Sequence, residues 1–182
     1  MPVDVYAVVP DDVVEAAWAF YGATFEALKT VAVERHVFYR DEFDDLMTDR
    51  RILKYLVRDG EAVVGMAAMT DDLEAVPFIS PEYFAHRWPD HYTQRRVLYC
   101  VFVGVHQGPP GKGVFVALQR EMYRRQIEPV QGIAVLDMCT YNEEELRLPW
   151  AIESIMVKVA GAAQVRRLDN QSYWLYEFPA AS

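Results

Sequence analysis

The apolar positions of this chain change period along its length, and the changes mark out its elements. Val3–Val9 alternates loosely and ends at Pro10, as a short first strand closed by a turn would. From Asp12, with Glu15 three residues on in the manner of a capping box, Val14, Trp18, Tyr21, Phe25 and Leu28 keep a helical stripe. That stripe predicts a first helix running to Thr30. Phe38–Met47 predicts a shorter, acidic helix with Phe43, Leu46 and Met47 on its apolar face and its charges in solvent. Ile52–Val57 and Ala62–Met69 are apolar runs separated by Arg58–Glu61. Asp59 followed by Gly60 is a strong hairpin signal, so the two runs are expected to pair antiparallel.

Asp71–Arg95 is the least regular stretch, with Pro77, Pro81 and Pro89 interleaved with Phe78, Tyr83, Phe84, Trp88 and Tyr92. Long connections of this make-up in compact domains are more often functional than idle. One reading has the stretch bordering a substrate site; the other has it as a flap packed on the core or on a second copy in a homodimer. Pro81 is placed to open a short helix. Val97–Val105 follows as the densest apolar run, then the glycine and proline loop His106–Gly113, then Val114, Ala117, Leu118 and Met122 at helical spacing. Gly132–Thr140 is another strand of the buried type. Two such strands bracketing one helix predict a βαβ unit with parallel neighbours. After the acidic loop Tyr141–Glu145, Pro149 is placed to enter the first turn of a helix over Trp150–Ala160 that stops near Gly161. Val165–Leu168 and Tyr173–Phe178, either side of Asp169–Ser172, read as a closing hairpin. The fold class is therefore α/β, of mixed α+β character: a central mixed sheet of six to seven strands with helices on both faces. It forms one domain over residues 1–182, carrying an irregular insertion over 71–95.

Composition narrows the function. The 182 residues are 52% hydrophobic and 25% charged, an ordinary globular mixture, and no apolar run is long enough to span a bilayer. The start of the chain lacks the basic-then-apolar layout of a signal peptide, so a cytoplasmic protein without a membrane partner is expected. A net charge of −9 argues against a nucleic-acid surface and permits a cationic amine substrate. Cys100 and Cys139 lie in apolar runs and are expected to be free thiols. The four histidines show no metal-ligand spacing, so no metal is expected.

The loop before the helix at Val114 is a helix N-terminus, where unpaired N–H groups and the positive end of the macrodipole suit a phosphate. A plain sharp turn would use the same residues. A Walker A loop would need Gly at 106 and Ser or Thr at 113, where His106 and Gly113 stand, and a dinucleotide fingerprint would need Gly at Val116.

The stretch Val105–Val114 instead resembles the central signature of the GNAT-type acyl-CoA N-acyltransferases, with Val105, Gly111, Gly113, Val114 and Leu118 matching. Pro110 stands where Arg or Gln is usual and Phe115 where Gly or Ala is usual. The order β, α, α, β, β, long loop, β, α, β, α, β, β resembles the family's layout over nearly the whole chain. Val63–Gly65 also resembles the usual start of the strand before the cofactor strand. The resemblance implies a GNAT-like fold and direct acyl transfer from acetyl-CoA or another acyl-CoA to an amine of a small molecule or peptide. It implies that backbone groups near Phe102, Val103 and Val105 hold the pantetheine arm. It further implies that the turn Pro110, Gly111, Lys112, Gly113 and Val114 holds the pyrophosphate, and that Asn142 contacts the cofactor.

The family's frequent acid is a Tyr four residues before the glycine that ends the last helix; Gly161 matches that glycine and Val157 stands at the Tyr position. Tyr141, Cys139 or a Tyr of the insertion are the replacements available. For the base, the cofactor strand has no acid. Asp137 interrupts an apolar run, and a carboxyl group there rises in pKa if it lies inward; His86 and His91 are the other candidates. The catalytic candidates are therefore Asp137, Tyr141 and His86. Two classes of function remain: an N-acyltransferase, or a GNAT-shaped acyl-CoA or ligand-binding module whose catalysis is impaired.

Overall fold

A computed structural model describes residues 1–35, 37–106 and 109–177. Five strands form one sheet in chain order: β1 (Asp4–Tyr6), β2 (Ile52–Asp59), β3 (Ala62–Thr70), β4 (Val97–Val105) and β5 (Ile133–Val135). The first four run antiparallel to their neighbours, and β5 lies parallel to β4 as the βαβ pattern requires. The β2–β3 hairpin turns at Gly60, whose φ of 61° suits a residue without Cβ. The helices are α1 (Asp11–Phe25), α2 (Leu28–Val31), α3 (Arg40–Thr48), α4 (Pro81–Arg87), α5 (Pro89–Thr93), α6 (Pro109–Met122) and α7 (Leu148–Ala160). Among the described residues no helix is long and apolar enough to cross a membrane.

Several expectations change. The sheet has five strands rather than six to seven. Val165–Leu168 and Tyr173–Glu177 carry no regular structure, and Phe178 lies outside the described residues. A hairpin needs an apolar surface to receive one face, and Trp174, Leu175 and Tyr176 are instead exposed. β5 stops at Val135, well short of Thr140, because its only ladder is with β4 and ends there. The first helix ends at Phe25. The chain then tightens into α2, where Lys29 and Thr30 bond back three residues to Glu26 and Ala27. Glu15 does not close a capping box; its carboxylate takes the Arg40 guanidinium at 2.5 and 3.0 Å, and Pro10 occupies the cap position of α1. α6 begins at Pro109 rather than at Val114.

The sheet is buried on both faces. Ile52, Leu56, Met66 and Ala68 meet α1 and α3 around Val13, Ala17, Phe20, Tyr21, Phe43 and Met47. On the opposite face Tyr55, Val57, Ala67, Met69, Leu98 and Cys100 meet Val114, Leu118 and Met122 of α6. α6 lies close to the sheet because Gly65 has no side chain: a Cβ there would stand 2.1 Å from a Val114 methyl. The insertion closes a third cluster, with Leu73, Val76 and Phe84 over Val97 and Tyr99 of β4. It is therefore a flap on the core, with Phe78 left half exposed at its margin.

Alternation along β2 turns Lys54 inward with Ile52 and Leu56. It is fully buried, and its ammonium donates to the carbonyls of Ala7, Asp49 and Ile52 at 2.6, 2.8 and 2.9 Å. One side chain thus ties the turn after β1 to the turn before β2. Burial pushes its pKa down to about 8, partly offset by the Asp49 charge. The unfolded chain, with lysine at its ordinary value of 10.5, binds more protons between those limits, so this group makes stability rise as pH climbs from about 8 to about 10.5. Lys54→Met removes three hydrogen bonds to backbone carbonyls and should lower stability at neutral pH by about 2 kcal/mol. It should also flatten the rise, and denaturant titrations between neutral and alkaline pH check both.

Candidate functional site

β4 carries one residue more than its partner. β3 pairs Ala68 with Phe102 and Met69 with Cys100, so Val101 is an unmatched bulge. Beyond the bulge the pleat is reversed: Leu98 and Cys100 point at α6 before it, and Val103 and Val105 after it. Phe102 turns to α1, with ring centroids 5.2 Å from Tyr21 and 5.8 Å from Phe25. The β4–β5 ladder comprises Val97, Leu98 and Tyr99 against Ile133, Ala134 and Val135, and it ends two residues before the bulge. Between Val101 and Val105 the described ladders pair β4 with β3 alone, so the edge toward β5 parts from its neighbour. Because the side chains of Phe102, Val103 and Val105 are committed to packing, only their backbone groups are available to a ligand in that opening.

β4 leads into the N-terminus of α6. Gln107 and Gly108 lie outside the described residues. Gly111 and Lys112 sit within the first turn of the helix, Gly113 opens the second, and the side chain of Val114 is spent on packing against Gly65. Gly111 is buried, and a Cβ on it would stand 1.9 Å from the carbonyl oxygen of His106, so the chain's own return demands glycine there. Gly113 is exposed, with nothing within 4 Å of the place a Cβ would take. Pro109 and Pro110 carry no N–H, so the donors at this helix end begin with Gly111 and Lys112. Phe115 is half buried. The residues present thus fit an anion by fewer amides than an ordinary helix start.

Asp137 stands two residues past the end of β5 and is exposed rather than turned inward. Its carboxylate accepts a hydrogen bond from the hydroxyl of Tyr99, a buried residue of β4. Burial, then the charge and hydrogen bond of Asp137, push the Tyr99 phenol far above its ordinary value. Burial and the same carboxylate push the Cys100 thiol up to about 12. Phe78 of the insertion meets the Tyr99 ring edge-on at 6.1 Å. Tyr141 and Asn142 begin a wide π-helical turn over Tyr141–Glu145, closed by the Leu146 N–H donating to the Tyr141 carbonyl, and Tyr141 and Cys139 pack against the α1 side of the core. Glu143 in that turn accepts from Arg167. His86 is exposed in the last turn of α4, and the His91 ring lies 3.2 Å from the Arg96 guanidinium. Val157 is exposed on α7. Cys100 and Cys139 are free. Among the described residues no group of three or more His, Cys, Asp or Glu is placed to hold a metal.

Of the catalytic candidates, Asp137 is therefore at the opening, Tyr141 is further along the same segment, and His86 is on the outer flap. Sequence reasoning missed Tyr99 and Phe78. The signal for Tyr99 was available: a phenol inside an uncharged buried strand needs a partner for its O–H.

No family model matches the sequence, and no curated protein matches it. Solved structures do resemble the fold. A ribosomal-protein-alanine N-acetyltransferase from Brucella melitensis biovar Abortus 2308 superposes with a TM-score of 0.53 at 18% identity, over 98% of this chain and 99% of that one. An aminoglycoside acetyltransferase from an uncultured soil metagenomic sample, in complex with sisomicin, gives 0.53 at 9% identity over 94% and 96%. Another from a soil metagenomic sample gives 0.51 at 16% over 95% and 100%. The chain has the GNAT fold.

The two glycines of the helix start should respond oppositely to alanine. Gly111→Ala forces a backbone shift and should destabilise by about 2 kcal/mol, whereas Gly113→Ala, in open space within a helix, should be neutral or stabilise by up to about 1 kcal/mol. Thermal and denaturant unfolding of the two variants separate these outcomes.

Proposed function

We propose that the chain is an acyl-CoA-dependent N-acyltransferase. The observation that carries this is the parting of β4 from β5 just before the Val101 bulge, which opens a backbone edge between the start of α6 and the carboxylate of Asp137. Acyl-CoA would supply the acyl thioester. The edge near Phe102, Val103 and Val105 would take its pantetheine arm, and the amides of Gly111 and Lys112 its pyrophosphate, with Gly113 leaving open space beside them. Asn142 would add a side-chain contact. In the transfer the amine nitrogen bonds to the thioester carbonyl carbon, the carbon–sulfur bond breaks, and coenzyme A leaves as a thiol. Asp137 would take the proton the amine loses, and Tyr141 would be the nearest phenol along the chain to protonate the departing sulfur; His86 is the remaining candidate, if the flap brings it in.

The acceptor is proposed to be a small-molecule or peptide amine. Exposed Asp137 in a chain of net charge −9 favours a cationic one. The aminoglycoside acetyltransferases of the same fold act on amines of that kind by their names, which supports the class without identifying the compound. The binding-module alternative is favoured by Pro109 and Pro110, which remove two donors, and by Val157 at the position of the family's Tyr.

Acyl-CoA at a hundred times its dissociation constant should stabilise the protein by about 2.7 kcal/mol, and thiol release with amines present should follow turnover. Gly113→Glu places a negative side chain where the anion must approach, so the thermal shift should vanish while the ligand-free protein unfolds as before. Lys112→Ala should cost far less, as an exposed point charge is screened. Equal binding by wild type and Gly113→Glu removes the pyrophosphate site; binding without turnover selects the module.

The flap supplies a separate check on the acceptor side. Phe78→Ala should raise the KM for amine several-fold and leave that for acyl-CoA unchanged, since Phe78 faces Tyr99 and not the start of α6. Equal effects on both, read from steady-state kinetics, would return the flap to a purely packing role.

A further inference from the structure

The segment that carries Asp137 has no regular structure of its own: β5 ends at Val135, and the π-helical turn begins only at Tyr141. A carboxylate on such a segment samples many orientations unless something fixed holds it, and catalysis by a base is sensitive to small misplacements. Tyr99 is fixed. It lies on β4, is paired to Thr70 of β3 on one side and to Val135 of β5 on the other, and is 1% exposed. Its ring is gripped by Leu73, Val76, Phe84 and Val97, with Phe78 against its edge. The hydroxyl reaches out of this cluster to the Asp137 carboxylate.

We propose that Tyr99 is a positioning residue for Asp137: a sheet-borne phenol that anchors the carboxylate at the mouth of the β4–β5 opening. This rests on the acyltransferase reading above, and it adds a role for a buried strand residue that touches neither substrate. Three features of the site converge on it. The bulge at Val101 follows two residues later, so Tyr99 is the last β4 residue still paired to β5, and Asp137 is the first acidic residue after that pairing ends. Burial keeps the phenol in its donor form throughout the neutral range. The aromatic flap fixes the ring, which couples the insertion to the carboxylate through a side chain rather than through contact with the base itself.

The test joins a structural and a kinetic measurement on the full chain. In the ligand-free protein, the Tyr99 ring-carbon resonance, assigned by its loss in Tyr99→Phe, should shift in Asp137→Asn; an unmoved resonance overturns the pairing whatever the activity. In turnover, Tyr99→Phe should lower kcat about tenfold with the KM for both substrates little changed, and Asp137→Asn should lower it about a hundredfold or more. The double variant should be no slower than Asp137→Asn alone, because a phenol that acts only through the carboxylate has nothing left to position. A tyrosine that is merely structural would instead lower melting temperature and multiply the two losses, and that outcome overturns the proposal. Loss of the resonance shift is a failure of this inference alone. A wild type that binds acyl-CoA and acylates no amine overturns the acyltransferase reading and the positioning role together, while the resonance still reports whether the pair exists.

Discussion

One surplus residue in a strand governs this molecule. Val101 has no partner in β3, and the extra residue shifts the register of every β4 position beyond it while the β3–β4 pairing continues. Its effect is to reverse which residues face which layer, so that Phe102 joins the rings of α1 while Val103 and Val105 join α6. The pairing with β5 has by then ended, at Tyr99 and Val135, two residues before the bulge. Parallel strands joined through a helix would otherwise run together to the loop end of the sheet and close the space between them. Here they part, and beyond Tyr99 the edge of β4 toward β5 carries no ladder among the described residues.

The cost of that edge is carried by packing on either side of it. The α6 face depends on a glycine in β3 that lets Val114 and Leu118 settle against the strand, and the α1 face on an aromatic group centred on Tyr21, whose hydroxyl also accepts from the N–H of Phe38 at 3.1 Å. Lys54 pins the far side of the sheet by three carbonyl contacts. These features fix β2, β3 and β4, so the opening is bounded on one side by a packed sheet and on the other by a segment without regular structure that packs through Leu136, Cys139 and Tyr141. The Tyr99 hydroxyl joins the two sides by donating to the Asp137 carboxylate.

The elements with strong local signals were legible in the sequence. The Asp59-Gly60 hairpin, the β4 run, the parallel β5 and the helix ended by Gly161 at a φ of 80° all follow from periodicity and turn chemistry. The bulge was not legible, because Val97–Val105 is apolar at every position and a one-residue slip changes no letter of the pattern. Nor was the true start of α6: prolines read as loop, yet at the first helical positions their missing N–H has no intrahelical partner to lose. The closing hairpin was over-read, since strand propensity in Tyr173–Glu177 says nothing about whether an edge receives it. In the candidate site the outlier Asp137 was visible, but its partner was not, because Tyr99 looks like one more core aromatic until the ladder places it opposite Val135.

The two prolines that begin α6 set a trade-off at the same place. They fix φ for the first helical positions and so lower the entropy lost in starting the helix. They also remove two of the four donors that a helix start ordinarily presents. On the proposed acyltransferase reading, an anion here would meet the amides of Gly111 and Lys112, the open face of Gly113 and the screened charge of Lys112, together with the macrodipole of a 14-residue helix. Binding at this end would then draw more on the backbone edge of β4 than on the helix start, and a ligand that extends along that edge would gain from both, whereas a free phosphate would gain from only one.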